Sequence, residues 1–296
     1  MAGPVIGLAL GSGGARGWCH VGVLRGLEEL GIRPDVIAGA SMGAIVGAAY
    51  AAGKLDVIEE WALSITRRKF LAMLDVRLSG GGLVLGKAIL NLPAELGLPE
   101  NIEDLSVPFR AVASDMQTGR EVWLKRGNLA DALRASSAVP GLLGPARIKG
   151  KWLLDGGLTN PVPVSVARAM GAEIIIAVNA GTPLGGSIWS PDIMDEQQGI
   201  FTHLAGKLPK ALGAGLFAPP EGPRSPGYLT VVSSAIEMMV VQILRARLAG
   251  DPPHVLLNGD PDVVKSLELY NAALAIEEGR RMVARHKVAL LNLLEG

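Results

Sequence analysis

Ser41 stands in Gly39-Ala40-Ser41-Met42-Gly43, a Gly-x-Ser-x-Gly pattern that follows the apolar run Val36-Ile37-Ala38 and precedes small residues from Ala44 to Ala52. A serine on a sharp turn between a strand and a helix presents its Oγ to incoming substrate, and the chemistry it could do is nucleophilic attack on a carbonyl. The flanking glycines relieve crowding where the turn strains the serine backbone, and they let a carbonyl approach closely. The same five residues also fit a tight turn packed against a sheet, so the chemical reading depends on partners elsewhere in the chain.

One candidate partner is the loop Gly11-Ser12-Gly13-Gly14-Ala15-Arg16-Gly17, between the apolar run Val5 to Leu10 and a helical pattern from Trp18 to Leu30. Such a loop turns backbone N–H groups toward one point, with a helix dipole behind them, and binds an anion. The anion is either the phosphate of a nucleotide or the transient oxyanion of a tetrahedral intermediate. For a dinucleotide, Gly11-x-Gly13-x-x-Arg16 carries arginine where a third small residue belongs, although Asp35 follows at a suitable distance; the P-loop Gly-Lys-Ser/Thr is missing. The nucleotide account leaves Ser41 without a role, whereas the oxyanion account uses both motifs in one reaction. Arg16 reads as a loop-supporting residue, since a guanidinium has the donors to hold irregular backbone.

Serine needs a base at neutral pH. The chain has four histidines: His20 in the first helix, His203 in an irregular region, His254 at the start of a late strand, and His286 among Arg281, Arg285 and Lys287. Ser41, Asp155 and His254 occur in the chain order of an α/β-hydrolase triad, which makes His254 the rival base, with His20 second. The other candidate is Asp155, where the strand Lys151 to Leu154 runs into Asp155-Gly156-Gly157 and the glycines leave little bulk around the carboxylate. An Asp-Gly pair is also a common turn. Asp115, at the end of the strand from Pro108, reads as a turn-pinning residue, and Cys19 as a small buried hydrophobe.

The elements that must position these residues alternate. Strand patterns at 5–10, 36–38, 108–113, 121–124, 151–154, 173–178 and 254–257 are interleaved with helical ones at 18–30, 44–52, 54–70, 87–96, 129–136, 164–170 and 229–248, and most of 262–294 is amphipathic helix. This order predicts a single α/β domain over 1–296, a mostly parallel central sheet with helices on both faces. The expected helix 54–70 would carry Arg67-Arg68-Lys69 at its C-terminal end, where cations complement the dipole or meet a lipid head group. From Gly181 to Tyr228 the pattern dissolves into Pro, Gly and Ser, with a helical stretch near 194–212 and an apolar tip at 215–220, as in a lid or binding insertion.

Composition narrows the function. In 296 residues Lys+Arg and Asp+Glu both number 28, so no basic field exists to hold a nucleic acid. One cysteine rules out an internal disulfide framework and suits a reducing cytoplasm. His, Cys and Asp spacing shows no zinc or EF-hand pattern, so no metal and no cofactor is expected. The start lacks a basic secretory n-region, and the weakly hydrophobic run 36–52 contains the serine turn, which favours a buried strand-turn-helix over a membrane span. A cytoplasmic protein is expected, with peripheral membrane contact left open and oligomeric state undetermined.

Taken together, Gly13-Gly14-x-Arg16-Gly17, then Gly39-x-Ser41-x-Gly43 one β-α unit later, then Asp155-Gly156-Gly157, resemble the patatin-like phospholipase family, especially its bacterial members. Ser136, Pro140 and Asn160-Pro161-Val162-Pro163 also fit, and the likeness runs from about Val5 to Val178. The resemblance implies a three-layer α/β/α serine lipid acyl hydrolase with a Ser-Asp dyad and no catalytic histidine. Ser41 would be the nucleophile, Asp155 the base, and backbone N–H groups around Gly13 and Gly14 the oxyanion hole. Ser12 departs from the pattern, since many relatives have a third glycine there.

Overall fold

A computed structural model describes residues 3–75, 82–84, 86–181 and 228–295. The apolar runs form strands β1 (Ile6–Leu10), β2 (Val36–Ala40), β3 (Gly82–Val84), β4 (Phe109–Asp115) and β5 (Glu121–Leu124). They continue with β6 (Gly141–Leu143), β7 (Ala146–Ile148), β8 (Lys151–Asp155), β9 (Ile174–Asn179) and β10 (Val255–Asn258). The helices are α1 (Cys19–Glu29), α2 (Met42–Ala51), α3 (Leu55–Leu63), α4 (Arg67–Met73) and α5 (Lys87–Glu95). After these come α6 (Leu129–Ser136), α7 (Val164–Arg168), α8 (Tyr228–Gly250), α9 (Ala272–Arg285) and α10 (Lys287–Glu295).

The main sheet has the order β10-β9-β1-β2-β4-β8-β7, with β5 also on β4, and the five strands from β10 to β4 are parallel. Side chains alternate across this parallel core. Leu8, Leu10, Ile37 and Val178 pack on one face with residues of α1, α2 and α9. Ala9, Ala38, Ala40 and Ile175 pack on the other with Val164 and Val166 of α7 and Leu244 of α8. Both faces are therefore covered, giving the expected α/β/α layering, and this is why the strands read as continuous apolar runs.

Three strands depart from the parallel pattern. β5, β7 and β8 are antiparallel to their neighbours. β7 and β8 form a hairpin closed by Lys149-Gly150, both at positive φ (48° and 83°), which is a two-residue type I′ turn. Lysine is not a residue that advertises such a turn, so β7 is not evident in the sequence.

The expected single helix 54–70 is broken. α3 ends at Leu63, Ile65 is buried, and Thr66 caps α4 by accepting the Lys69 N–H at 3.1 Å. Arg67, Arg68 and Lys69 consequently lie in the first turn of α4, where cations oppose the dipole. The expected C-terminal helix is likewise two, broken at His286, whose ring Nδ1–H donates to the Met282 carbonyl (2.9 Å). The expected lid at 181–228, with its helix near 194–212, lies almost entirely outside the described residues.

Candidate active site

The serine turn is held by its surroundings. Ser41 adopts φ 55° and ψ −121°, a conformation L-residues avoid. A Cβ on Gly39 would sit 2.5 Å from the Gly43 carbonyl oxygen, and one on Gly43 would sit 2.2 Å from that of Leu10. The two glycines are thus required by the close approach of α2 to β2 and to the end of β1. The Ser41 N–H donates to Ser136 Oγ (2.9 Å), and that hydroxyl donates to the Val112 carbonyl (2.6 Å).

Sheet register brings Asp155 to the same place. Val112 pairs with Ala40 on one side and Trp123 on the other, while Ala113 pairs with Asp155 and Val122. A strand residue has only two lateral neighbours. β5 therefore occupies one edge of β4, and β2 and β8 share the other, their C-terminal ends meeting on consecutive residues. Ser41 follows the end of β2 and Asp155 is the end of β8.

Asp155 is 5% exposed. Its Oδ1 accepts the Gly157 N–H (2.7 Å), its carbonyl accepts from Ser114 Oγ (2.7 Å), and its own N–H donates to the Ala138 carbonyl (3.0 Å). Burial pushes its carboxyl up to about 6, opposed by the Ser41 hydroxyl and the Gly157 N–H. Among the described residues Oδ2 makes no hydrogen bond of ordinary geometry. The Ser41 hydroxyl is thus near enough to favour the charged carboxylate without being locked to it.

The glycine loop shows a selective pattern of satisfied donors. The N–H groups of Gly11, Ser12 and Ala15 donate to the carbonyls of Val178, Pro161 and Ser266 at 2.8–2.9 Å. Those of Gly13 and Gly14 have no acceptor among the described residues, and both residues line the cavity that Ser41 and Asp155 line. Arg16 braces the loop: Nε approaches the Gly13 carbonyl (3.5 Å) and Nη2 pairs with Glu237 of α8 (2.9 Å).

Among the described residues no histidine lines that cavity. The His254 Nδ1 accepts the Ile175 N–H (2.9 Å), which fixes it beside the N-terminal half of β9, at the opposite end of the sheet from Ser41. His20 is fully buried, its Nε2 on the Gly11 carbonyl (2.8 Å), and burial pushes its pKa down to about 4, so it is a neutral loop anchor. His286 caps α9, and His203 lies outside the described residues. Asp115 accepts from Gln117 N–H, Thr118 N–H and Lys151 Nζ, the arrangement of a pinned turn; the lysine and these amides hold its pKa low. Burial pushes the Cys19 thiol up to about 12, which leaves it unreactive.

The cavity measures about 400 Å³. Its apolar walls come from segments far apart in the chain: Trp61, Phe70 and Met73 on one side, Ile236, Val240 and Leu244 of α8 on another. Sequence reasoning did not find these walls. The only local signal was the 4-residue spacing in α8, which is indistinguishable from ordinary core packing. Ser136 was noted only as part of a family pattern, and its place under the serine turn is set by contacts 95 residues apart.

The α/β/α sheet thus carries a strained serine between strand and helix and a buried carboxyl, both on one largely apolar cavity. The chain belongs to the patatin-like phospholipase family, whose profile matches residues 8–168. It is similar to an uncharacterized NTE family protein of Mycobacterium tuberculosis, 44% identical over 176 residues, 60% of this chain and 49% of that protein. It is also similar to human patatin-like phospholipase domain-containing protein 6, 35% identical over 189 residues, 62% of this chain and 14% of that protein. VipD from Legionella pneumophila aligns with a TM-score of 0.47 at 13% identity, over 99% of this chain and 67% of that one. The match spans about half the length of the mycobacterial relatives. Family membership implies lipid acyl hydrolase chemistry. Among the described residues no helix is long and apolar enough to cross a membrane.

Proposed function

We propose that the chain hydrolyses carboxylic esters of lipids through an acyl-enzyme on Ser41, with Asp155 as the base. The observation that supports this best is the meeting of strained Ser41 with a buried Asp155 carboxyl on a cavity also lined by Gly13 and Gly14, whose N–H groups have no acceptor among the described residues. In acylation Ser41 Oγ attacks the ester carbonyl carbon while its proton passes to Asp155. The oxyanion that forms is held by the Gly13 and Gly14 N–H groups. Collapse breaks the ester C–O bond, and Asp155 returns the proton to the departing alkoxide. Water then gives a proton to Asp155 and attacks the acyl-enzyme, releasing the fatty acid and restoring Ser41–OH.

The apolar cavity is of the size and character that takes a fatty acyl chain. Phospholipids, lysophospholipids and simple fatty acyl esters all present that chain, and peripheral contact with a lipid surface belongs to the same reading. The exposed cations Arg67, Arg68 and Lys69 on α4, the helix that carries Phe70 and Met73 into the cavity, suit such contact.

The test is labelling by a fluorophosphonate together with hydrolysis of a p-nitrophenyl ester. Wild type is labelled, and Ser41→Ala and Asp155→Ala lose label or turnover by about 1,000-fold or more. His254→Ala keeps most activity, because its imidazole belongs to the far end of the sheet. A folded wild type that takes no label would sink the proposal.

A further inference from the structure

We propose that Ser136 is a positioning residue for the Ser41–Asp155 pair; the inference rests on the acyl-hydrolase reading above. Ser41 holds φ 55°, a conformation that costs about 1–3 kcal/mol and persists only where the surroundings over-determine it. As the residue that opens α2, it has an N–H with no intrahelical acceptor. Ser136 supplies one. Its Oγ accepts the Ser41 N–H at 2.9 Å and donates its own proton to the Val112 carbonyl at 2.6 Å, so the hydroxyl is used as acceptor and donor at once. Ser136 is the last residue of α6 and is fully buried.

Its two partners explain the effect. Val112 is the β4 residue opposite Ala40, immediately before the serine, and the next residue, Ala113, is opposite Asp155. Two residues beyond Ser136, the Ala138 carbonyl accepts the Asp155 N–H at 3.0 Å. The segment from Ser136 to Ala138 thus grips the backbone of both reacting residues and ties them to one strand. The clamp also occupies the Ser41 N–H, so that group does not serve an oxyanion.

The test uses Ser136→Ala and, as a somewhat larger variant whose thiol bonds weakly, Ser136→Cys. Both should label at Ser41 with a fluorophosphonate. Their kcat should fall about 10- to 100-fold, the scale expected for a misplaced reacting group. KM should stay within about threefold, since the cavity walls are untouched. The acidic limb of kcat/KM should move to higher pH, because the Ser41 hydroxyl that lowers the Asp155 pKa is displaced. If Ser136→Ala fails to fold, Ser136→Cys carries the same readouts. A labelled wild type beside a folded variant with unchanged kcat and unmoved acidic limb overturns the role of Ser136 alone, as does a change confined to KM. A folded, unlabelled wild type removes the hydrolase reading and this role with it.

Discussion

At the scale of single residues, Asp155 is held where its neutral form is favoured, because burial strips water from the carboxylate while Gly157 N–H and the Ser41 hydroxyl only partly compensate. As the proposed base it must be ionised, so kcat/KM for a soluble ester should rise with pH through about 6. The same group links pH to stability. Its folded pKa stands above the ordinary 3.8, so between pH 4 and pH 6 the folded chain keeps a proton that the unfolded chain releases, and stability falls as pH rises across that window. A rise of this size corresponds to roughly 3 kcal/mol. Asp155→Asn should therefore abolish turnover yet melt higher than wild type at pH 8, with the advantage vanishing at pH 4. Melting curves at the two pH values check this, and a difference that does not change with pH would refute it.

At the scale of elements, two local choices depart from what their residues prefer. Lys149 opens the type I′ turn between β7 and β8 at φ 48°, in a region that costs a side chain about 1 kcal/mol. Lys149→Asn, which produces Asn-Gly, should stabilise the fold by roughly 0.5–1 kcal/mol in chemical denaturation without affecting ester hydrolysis. At the start of α4, Arg68 opposes the helix dipole. Arg68→Glu should gain about 0.3–1 kcal/mol at low salt, an effect that fades as salt is added. These departures explain where reading the sequence fell short. A lysine conceals the hairpin, and the break at Ser64 to Thr66 is decided by burial of Ile65 and the Thr66 cap rather than by any Gly or Pro.

At the scale of the whole molecule, α8 closes the site. It joins the glycine loop through Arg16–Glu237 (2.9 Å) and the β5 edge through Arg247–Glu121 (3.5 Å), and its residues Ile236, Val240 and Leu244 line the cavity. On the proposed reading its position sets the length of the acyl space. Val240→Trp should lower kcat/KM for long-chain p-nitrophenyl esters by about tenfold or more while leaving the butyrate within about threefold. Equal effects on short and long chains would show that the acyl chain lies elsewhere.

Legible in the residues alone are the chemistry-bearing blocks: the serine between strand and helix, the glycine loop before it, Asp155-Gly156-Gly157, and the alternation that makes an α/β sheet. Each depends on neighbours within a few residues, where backbone conformation and hydrophobic period leave a trace. Which base faces Ser41 was open, because His254 and Asp155 both stood in a credible order. Register sets β8 head to head with β2 on one edge of β4 and puts His254 at the far end, which supports the proposed pairing of Ser41 with Asp155. The Ser136 clamp and the cavity walls were decided by tertiary structure. They arise from hydrogen bonds and packing between segments tens to hundreds of residues apart, and such pairings have no period along the chain from which to be read.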